Sequence, residues 1–231
     1  MVLLRVPQLI LLDLDGTLVD SVPDLAFAVD SMMQQLHLPK RGIAPVREWV
    51  GNGMERLIKR ALVNDMHGEP DEALFQRALP LFKHAYSHCN GHHSLLYPNV
   101  KTTLQYLHDH AFLMACITNK PRQFTEPLLE KLGIAHFFNL ILSGDSLPSK
   151  KPDPLPLIHA TQHFNVPPQN CVMIGDSKND VQAARAAHLQ VICVSYGYNH
   201  GEDIRLSHPD AVLDDFGELR DLIGVLRPSY A

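Results

Sequence analysis

The sequence has few of the features that mark membrane-spanning or nucleic-acid-binding proteins. No apolar run approaches the roughly 20 residues needed to cross a bilayer, and Arg5, Pro7 and Asp13 interrupt the apolar stretch near the N-terminus. Basic residues are also scarce, because 20 Lys and Arg stand against 25 Asp and Glu, a formal net charge of −5 with no basic tail. We therefore expect a chain that neither enters a membrane nor binds nucleic acid.

Cysteine is scarce as well, which argues against a disulfide framework. The four cysteines are widely separated, and three of them lie among aliphatic residues, where they are expected to be small core side chains. They are Cys89, Cys116, Cys171 and Cys193. A reducing cytoplasm suits this pattern. A chain of 231 residues can bury roughly 70% of its unfolded surface, so a metal would serve chemistry and not folding.

Short aliphatic runs bounded by turn residues recur along the chain and predict the buried strands of a parallel sheet. The predicted strands are 9–12, 112–117, 140–142, 171–174 and 191–194. Amphipathic segments with helical spacing lie between strands, for example around Leu104 and around Leu128, the latter closed by Gly133. This alternation predicts right-handed β-α-β crossovers and a Rossmann-like α/β core.

The segment 21–93 interrupts the alternation, because it contains no convincing strand and at least three successive helical periods. Ser21 is expected to cap the first helix, with Pro23 just inside it. We predict a small helical cap domain at 21–93, inserted after the first strand of a discontinuous core formed by 1–20 and 94–231. Ligands of open α/β sheets bind at the carboxyl ends of the strands, so the cap would cover the site as a lid.

Polar clusters follow the predicted strands at four places. They are 13–18 (DLDGTL), 118–120 (TNK), 151–154 (KPDP) and 175–180 (GDSKND). Taken singly, each cluster has an ordinary explanation as a turn or a helix cap. Together they bring paired acids, threonine and lysine to one edge of the sheet, which capping alone does not explain. The carboxylates of Asp13 and Asp15 in particular are costly at the end of a buried strand without a cation.

In order and in residue type, the four motifs resemble the haloacid dehalogenase superfamily of phosphohydrolases over nearly the whole chain. The helical insert lies where the first class of caps of that superfamily is found. More narrowly, 46–53 (VREWVGNG) and 97–100 (YPNV) resemble the bacterial phosphoglycolate phosphatase family. The resemblance implies a phosphomonoester hydrolase that acts on a small phosphorylated metabolite, with 2-phosphoglycolate as the expected substrate.

The resemblance also implies roles for the acidic residues. Asp13 would attack phosphorus and form an aspartyl-phosphate, which divides one hard displacement into two. Asp15 would protonate the leaving alkoxide and then deprotonate the incoming water. Mg²⁺ would be held by the Asp13 carboxylate, the Asp15 backbone carbonyl and Asp176.

The remaining core residues would surround the phosphoryl group. Lys151 is expected to be catalytic and, together with the Thr118 hydroxyl, to stabilise the phosphoryl oxygens. Asn119 and Lys120 belong to the same motif as Thr118 and are expected to bind substrate. Asp180 would support Lys151 or a metal-bound water.

Specificity must come from the cap, because the core handles only the phosphoryl group that all candidate substrates share. Arg47 is one candidate contact for a substrate carboxylate. The segment 51–53 is the other, because glycines allow close backbone approach and their amides can hold an anion, so Asn52 and Gly53 are expected to contact substrate. Both features have a structural alternative, since the glycines could simply separate two cap helices.

Other functions stay open on the sequence alone. Sugar phosphates, nucleotides and pyrophosphate are alternative substrates, and a sugar phosphomutase or a non-catalytic phosphate-binding module are alternative functions. Asp15 argues against dehalogenation, because a halide leaving group needs no acid. Monomer and homodimer are both compatible with the chain. A rival zinc site, without a regular four-ligand spacing, would use His84, His88, Cys89, His92 and His93.

Overall fold

The computed structural model describes residues 6–226, so that Arg5 and the two ends of the expected core, 1–5 and 227–231, lie outside the described residues. Within the described range the strands are β1 (Leu9–Leu12), β2 (Val19–Asp20), β3 (Leu95–Leu96), β4 (Leu113–Ile117), β5 (Leu140–Leu142), β6 (Cys171–Gly175), β7 (Gln190–Val194) and β8 (Ala211–Leu213).

Six of these strands form a parallel sheet in the order β5-β4-β1-β6-β7-β8. Strand β1 is central, since Leu9 lies opposite both Leu113 of β4 and Cys171 of β6. The α/β fold class and the five predicted strands are confirmed, with ends that differ by one residue at most. The sixth strand, β8, was not predicted because a three-residue run carries little periodic signal.

Helices follow the strands and also fill the segment before β3. In chain order the described helices are α1 (Val22–Gln35), α2 (Ile43–Trp49), α3 (Met54–Val63), α4 (Glu72–Cys89), α5 (Val100–Asp109), α6 (Arg122–Lys131), α7 (Leu155–His163), α8 (Lys178–Ala186) and α9 (Glu218–Leu226). In the part of the chain from 6 to 226, none of the helices is both long enough and apolar enough to cross a membrane.

Helices cover both faces of the sheet. Alternate residues of β1 point to opposite faces, so each face can be followed through two of its residues. Ile10 and Leu12 pack in an apolar cluster with α5, α6 and α9. Leu9 and Leu11 pack in a second cluster with α7 and α8. An uninterrupted run of four aliphatic residues is what a strand covered on both faces requires, and all four side chains are fully buried.

Helices α1 to α4 form a separate helical unit with its own apolar core, which includes Val29, Trp49, Ile58 and Phe82. The chain enters this unit through β2 and leaves it through β3, and these two strands pair antiparallel, with Asp20 opposite Leu95. The helical unit is therefore attached to the sheet directly after β1, where it can cover the carboxyl ends of the strands.

Two local features of the helical unit were expected from the sequence: the first needs correction, and the second, a break at 51–53, agrees with the structure. Ser21 does occupy the N-cap of α1 with proline in the first turn, but its side chain makes no capping hydrogen bond, and its hydroxyl oxygen is buried without a partner among the described residues. The second helical stretch is divided into α2 and α3 by residues 51–53. Gly51 and Gly53 both have positive φ angles, which a continuous helix does not allow.

Candidate active site

The acidic and hydroxyl residues of the first, second and fourth motifs converge because their strands are neighbours. Asp13, Thr118 and Asp176 directly follow β1, β4 and β6, and the order β4-β1-β6 brings these three carboxyl ends side by side. The Asp13 amide continues the ladder by donating to the Ile174 carbonyl at 2.9 Å. The parallel order of β4, β1 and β6 is therefore sufficient to bring Asp13, Thr118 and Asp176 close together.

The turn after β1 carries Asp15, Gly16 and Thr17 past Asp176. Gly16 has φ +88°, and a Cβ atom at this position would lie 2.2 Å from the Asp176 Oδ2 atom, so only glycine fits. The Thr17 hydroxyl donates to the Asp176 Oδ1 atom at 3.0 Å, and the Tyr198 amide donates to the Oδ2 atom at 2.5 Å. Both oxygens of Asp176 are thereby held in place.

Lys151 forms a buried ion pair with two acids. Its Nζ atom lies 2.8 Å from the Asp13 Oδ1 atom and 2.7 Å from the Asp180 Oδ1 atom, and it donates to the Ile117 carbonyl at 2.6 Å. Burial opposes the charge of the lysine, but the two carboxylates outweigh burial and raise its pKa above the ordinary value. Lys151 is therefore a fixed cation next to Asp13.

Asp180 is fixed from the other side by the start of α8. Its Oδ2 atom accepts hydrogen bonds from the Ser177 hydroxyl at 2.8 Å and from the Ser177 amide at 3.1 Å. These contacts belong to a capping box in which Ser177 is the N-cap. Asp180 thus caps helix α8 and also contacts Lys151. A contact with Lys151 is what the sequence analysis expected of this residue.

The electrostatics of the three buried acids favour a bound cation. Asp13, Asp176 and Asp180 each offer one carboxylate oxygen, and these atoms lie within 4.8 Å of one another. Burial and the neighbouring Asp180 raise the pKa of Asp13 to about 7, against the opposing effect of Lys151. Burial, Asp13 and Asp180 also raise the pKa of Asp176 well above its ordinary value. A hard cation beside Asp13 and Asp176 would remove this penalty, so the donor set fits a divalent metal.

Asp15 contacts the second lysine of the site. The Lys120 Nζ atom lies 3.1 and 3.3 Å from the two carboxylate oxygens of Asp15, and it also donates to the hydroxyl of Tyr86 in α4. Tyr86 was not identified as a site residue from the sequence; in the structure it lies among the apolar residues of α4. The available signal was a single hydroxyl among those residues, one turn after Phe82.

Thr118 and Asn119 have structural partners as well as a place at the site. Thr118 is buried and its hydroxyl oxygen accepts from the Lys120 amide at 3.2 Å. The Asn119 side-chain amide donates to the Lys151 carbonyl at 2.9 Å and to the Gly51 carbonyl at 3.0 Å. Asn119 therefore connects the core motifs to the loop between α2 and α3, and its Oδ1 atom has no hydrogen-bond partner among the described residues.

A cavity lies between the strand ends and the helical unit. Its floor is polar, and its roof is formed mainly by apolar side chains of the helical unit. The lining residues are Asp13, Asp15, Thr118, Asn119, Lys120, Pro121 and Phe124 below, and Leu25, Val50, Gly51, Gly53, Met54, Leu57, Phe82 and Tyr86 above.

Two of the expected substrate contacts lie elsewhere. Arg47 does not line the cavity, because its guanidinium pairs with Asp20 at 3.2 Å and lies over the Tyr198 ring, 5.1 Å from the centroid. The Asn52 side chain accepts from Arg60 at 2.9 Å and donates to Asn179 at 3.3 Å, also away from the cavity. Gly53 does line it. The structure thus supports a substrate-facing position for Gly53 and a structural one for Arg47 and Asn52.

The side chains of the rival zinc set do not converge. His88 interacts through Nδ1 with the His84 carbonyl at 2.7 Å, which occupies that nitrogen. The Cys89 thiol is buried against the Asp24 carbonyl, while His93 Nδ1 lies 3.1 Å from the Asp24 carboxylate. Within residues 6–226, the one group of three ligand atoms close enough to hold a metal is formed by Asp13, Asp176 and Asp180.

Comparison with known proteins agrees with this geometry. A family model of haloacid dehalogenase-like hydrolases matches residues 10–194. The chain is 54% identical to a phosphoglycolate phosphatase of Nitrosococcus oceani, over 96% of this chain and 98% of that protein. It is 42% identical to a phosphoglycolate phosphatase of Nitrosospira multiformis, over 93% and 94% of the two chains. The crystal structure of a protein from Haemophilus somnus, described as a predicted phosphoglycolate phosphatase, aligns with a TM-score of 0.89 and 37% identity, over 94% and 97% of the chains.

Proposed function

The chain belongs to the haloacid dehalogenase-like hydrolases, and we propose that it hydrolyses 2-phosphoglycolate to glycolate and phosphate. The observation that carries the phosphatase activity is the buried Asp13–Lys151 pair beside Asp176, at the carboxyl ends of adjacent strands. The substrate is proposed from the relatives, which bear the name phosphoglycolate phosphatase at up to 54% identity over nearly the whole chain.

In the proposed reaction, an Asp13 carboxylate oxygen attacks phosphorus while the ester oxygen leaves with a proton from Asp15. This step forms an aspartyl-phosphate and releases glycolate. Asp15, now ionised, takes a proton from water, and the resulting hydroxide displaces phosphate from Asp13. Each step transfers one phosphoryl group and one proton, so the enzyme returns to its starting state.

Lys151 and Thr118 are proposed to surround the phosphoryl group. Lys151 keeps its positive charge next to Asp13, which lowers the repulsion between the nucleophile and the anionic phosphate. Asp180 holds that lysine in place and does not need to touch substrate. Phosphoryl transfer depends mainly on positioning and charge stabilisation, which a rigid, buried cation supplies.

We propose Mg²⁺ as the cofactor, held by the Asp13 carboxylate, the Asp15 main-chain carbonyl and Asp176. When bound, the ion supplies positive charge for the substrate oxygens and for the crowded carboxylates. Thr17 and the Tyr198 amide orient Asp176 for this role. Chelation with EDTA should stop turnover, and added Mg²⁺ should restore it.

The helical unit is proposed to act as a cap domain, residues 21–93, on a core of residues 1–20 and 94–231. Its separate apolar core and its paired entry and exit strands support this division. We also propose that the protein works in the cytoplasm, where the four thiols, all buried and unpaired, stay reduced.

Phosphate release from a panel of small phosphoesters tests the proposed function. With Mg²⁺ present, kcat/KM should be highest for 2-phosphoglycolate and lower for hexose phosphates, nucleotides and pyrophosphate. Asp13→Asn should remain folded and release no phosphate. A preference for hexose phosphates or nucleotides would overturn the substrate, and wild-type turnover by Asp13→Asn would overturn the mechanism.

A further inference from the structure

We infer that Lys120 and Tyr86 together bind the substrate carboxylate and so determine the specificity of the site. The inference rests on the proposed function and deepens it, because the residues expected from the sequence to bind that group, Arg47 and Asn52, lie outside the cavity. It also assigns a substrate contact to Tyr86, a residue of the helical unit.

The substrate carries a carboxylate in addition to its phosphate, and the charged residues that line the cavity indicate where this carboxylate would bind. Asp13 and Asp15 are the acids of its lining, and Lys120 is the one cation among the lining residues that the structure describes. An anionic carboxylate taken out of water needs a cation or several strong donors. The roof offers neither through its side chains, apart from the Tyr86 hydroxyl, because Leu25, Val50, Met54, Leu57 and Phe82 are apolar.

Lys120 and Tyr86 form a preassembled pair of donors. The Lys120 ammonium donates to the Tyr86 hydroxyl oxygen and lies 4.7 Å from the centroid of the Tyr86 ring. Because the hydroxyl oxygen accepts from Lys120, its proton remains to be donated, and no acceptor for it lies among the residues in the range 6–226. Burial, with Asp15 and Asp24 nearby, raises the pKa of Tyr86 well above its ordinary value, so the hydroxyl keeps that proton.

The position of Lys120 matches the length of the substrate. Asp15 must reach the ester oxygen in order to protonate it, and Lys120 lies 3.1 Å from Asp15. In 2-phosphoglycolate the carboxyl carbon is separated from the ester oxygen by a single methylene group. A cation in contact with Asp15 is therefore next to the carboxylate of a two-carbon substrate.

The same pair selects against other phosphoesters. Sugar hydroxyls would lie against apolar side chains of the roof, where they lose water without gaining partners. A phosphoester with an alkyl group in place of the carboxylate would leave the Tyr86 proton without a buried acceptor. Unpaired polar groups in the site discriminate more strongly than missing apolar contacts do.

Steady-state kinetics with 2-phosphoglycolate and ethyl phosphate test the inference, because ethyl phosphate has a methyl group in place of the carboxylate. The variants are Lys120→Met and Tyr86→Phe, with Tyr106→Phe in α5, outside the cavity lining, as a control for the loss of a tyrosine hydroxyl. The measured quantity is the ratio of kcat/KM for the two substrates. Comparing this ratio cancels any effect of Lys120 on Asp15 that both substrates share.

The wild-type enzyme should strongly prefer 2-phosphoglycolate. Tyr86→Phe should lower the ratio about 10-fold, and Lys120→Met about 100-fold, as expected for the loss of hydrogen bonds to a charged group. Most of the change should appear in KM for 2-phosphoglycolate. Tyr106→Phe should leave the ratio unchanged, and turnover of ethyl phosphate by the variants shows that they are folded.

Each other outcome overturns a specific statement. Equal losses for both substrates would show that Lys120 and Tyr86 only position Asp15. An unchanged ratio in both variants would move carboxylate binding to the backbone amides of residues 51–54. A wild-type enzyme without preference for 2-phosphoglycolate would overturn the proposed substrate together with this inference, whereas a preference retained in the variants overturns the inference alone.

Discussion

Gly16 shows how a single backbone position controls the placement of the Asp176 carboxylate. Its φ of +88° is open mainly to glycine, and its missing side chain leaves room for the Asp176 carboxylate. Tyr198 approaches the same position from the other side, so that the space is closed by two side chains. The glycine of the first motif is thus required by packing as well as by the turn.

Gly16→Ala should abolish phosphate release and weaken Mg²⁺ binding, because the new methyl group would displace Asp176. Gly42→Ala is the matched control, since Gly42 also has a positive φ, +75°, but a Cβ there would meet nothing within 4 Å. Gly42 has a ψ of −179°, so the control should lose about 1 to 3 kcal/mol of unfolding free energy through backbone strain alone and keep its activity. Phosphate release and thermal unfolding measure both effects, and an active Gly16→Ala enzyme would contradict the proposed place of Asp176.

Whether the position of a site residue could be predicted from the sequence depends on which structural elements bring it to the site. Asp13, Thr118 and Asp176 meet because each directly follows one of three adjacent parallel strands, and the sequence motifs were sufficient to predict this. Lys151 reaches Asp13 from the loop after β5. Arg47 and Tyr86 depend on how α2 and α4 sit on the sheet, which no local pattern encodes. The first therefore turned out to pair with Asp20, and the second to reach Lys120.

At the scale of elements, Asp24 ties the start of α1 to the segment that leads into β3. The buried carboxylate accepts from the Ser94 hydroxyl and amide at 2.5 and 3.0 Å and from the His93 amide at 2.9 Å. Burial opposes ionisation, but these hydrogen bonds lower the pKa of Asp24 below its ordinary value. The carboxylate therefore stabilises the junction between the helical unit and the sheet.

Asp24→Asn should lower the free energy of unfolding by about 1 to 3 kcal/mol at pH 7. A carboxyl group with a lowered folded pKa stabilises the protein above its unfolded pKa, and that stabilisation is lost as pH falls through the folded value. The difference between wild type and variant should therefore shrink as the pH is lowered from about 5 towards 3. Urea unfolding at several pH values measures it, and a difference that grows with acidity would contradict this role.

Arg60 orders the loop that connects α2 and α3. Its guanidinium donates to the Trp49 carbonyl at 2.6 Å, to the Met66 carbonyl at 3.0 Å and to the Asn52 side chain at 2.9 Å. Burial and the nearby Arg56 lower its pKa to about 10. One buried cation therefore holds Asn52, in the middle of the glycine-containing segment 51–53, and Trp49, just before that segment.

Arg60→Met should raise KM and lower kcat/KM about 10- to 100-fold, because small displacements of a positioning segment are costly. Arg56→Met is the control, since Arg56 is partly exposed, pairs with Glu69 and does not contact the segment 51–53. The free energy of unfolding of the control should stay within about 0.5 kcal/mol of the wild-type value. Its kcat and KM should be close to those of the wild type. Steady-state kinetics measure kcat and KM for both variants. Equal values of kcat/KM for Arg60→Met and Arg56→Met would contradict the role of Arg60.

At the scale of the whole molecule, several contacts between the helical unit and the rest of the chain involve residues that line the cavity. The Gly51 carbonyl accepts from Asn119 at 3.0 Å and from Asn179 at 3.4 Å, while Tyr86 meets Lys120. Phe124 of α6 belongs to the apolar core of the helical unit. Gly51, Asn119, Lys120 and Tyr86 therefore line the cavity and also join the helical unit to the core.

The α/β core and the position of the helical insert could be predicted because the periodicity of hydrophobic residues and the order of the motifs along the chain indicate both. The angle at which the helical unit closes could not, since it is set by tertiary contacts such as the one between Asn119 and Gly51. This explains why the polar residues of the cavity floor were predicted individually, whereas two of the three residues expected from the helical unit, Arg47 and Asn52, lie outside the cavity. Gly53 is the exception, because a glycine signals close backbone approach wherever it lies.

Covalent trapping on Asp13 tests the proposed mechanism most directly. Asp15→Asn lacks the group that activates water, but an activated aryl phosphate needs no acid to leave, so this variant should accumulate the aspartyl-phosphate. After mixing with 4-nitrophenyl phosphate and Mg²⁺ and quenching in acid, mass spectrometry should find one phosphoryl group on the peptide that contains Asp13. The double variant with Asp13→Asn should carry none. Phosphorylation of any other residue, or release of nitrophenol without a phosphorylated protein, would contradict nucleophilic catalysis by Asp13.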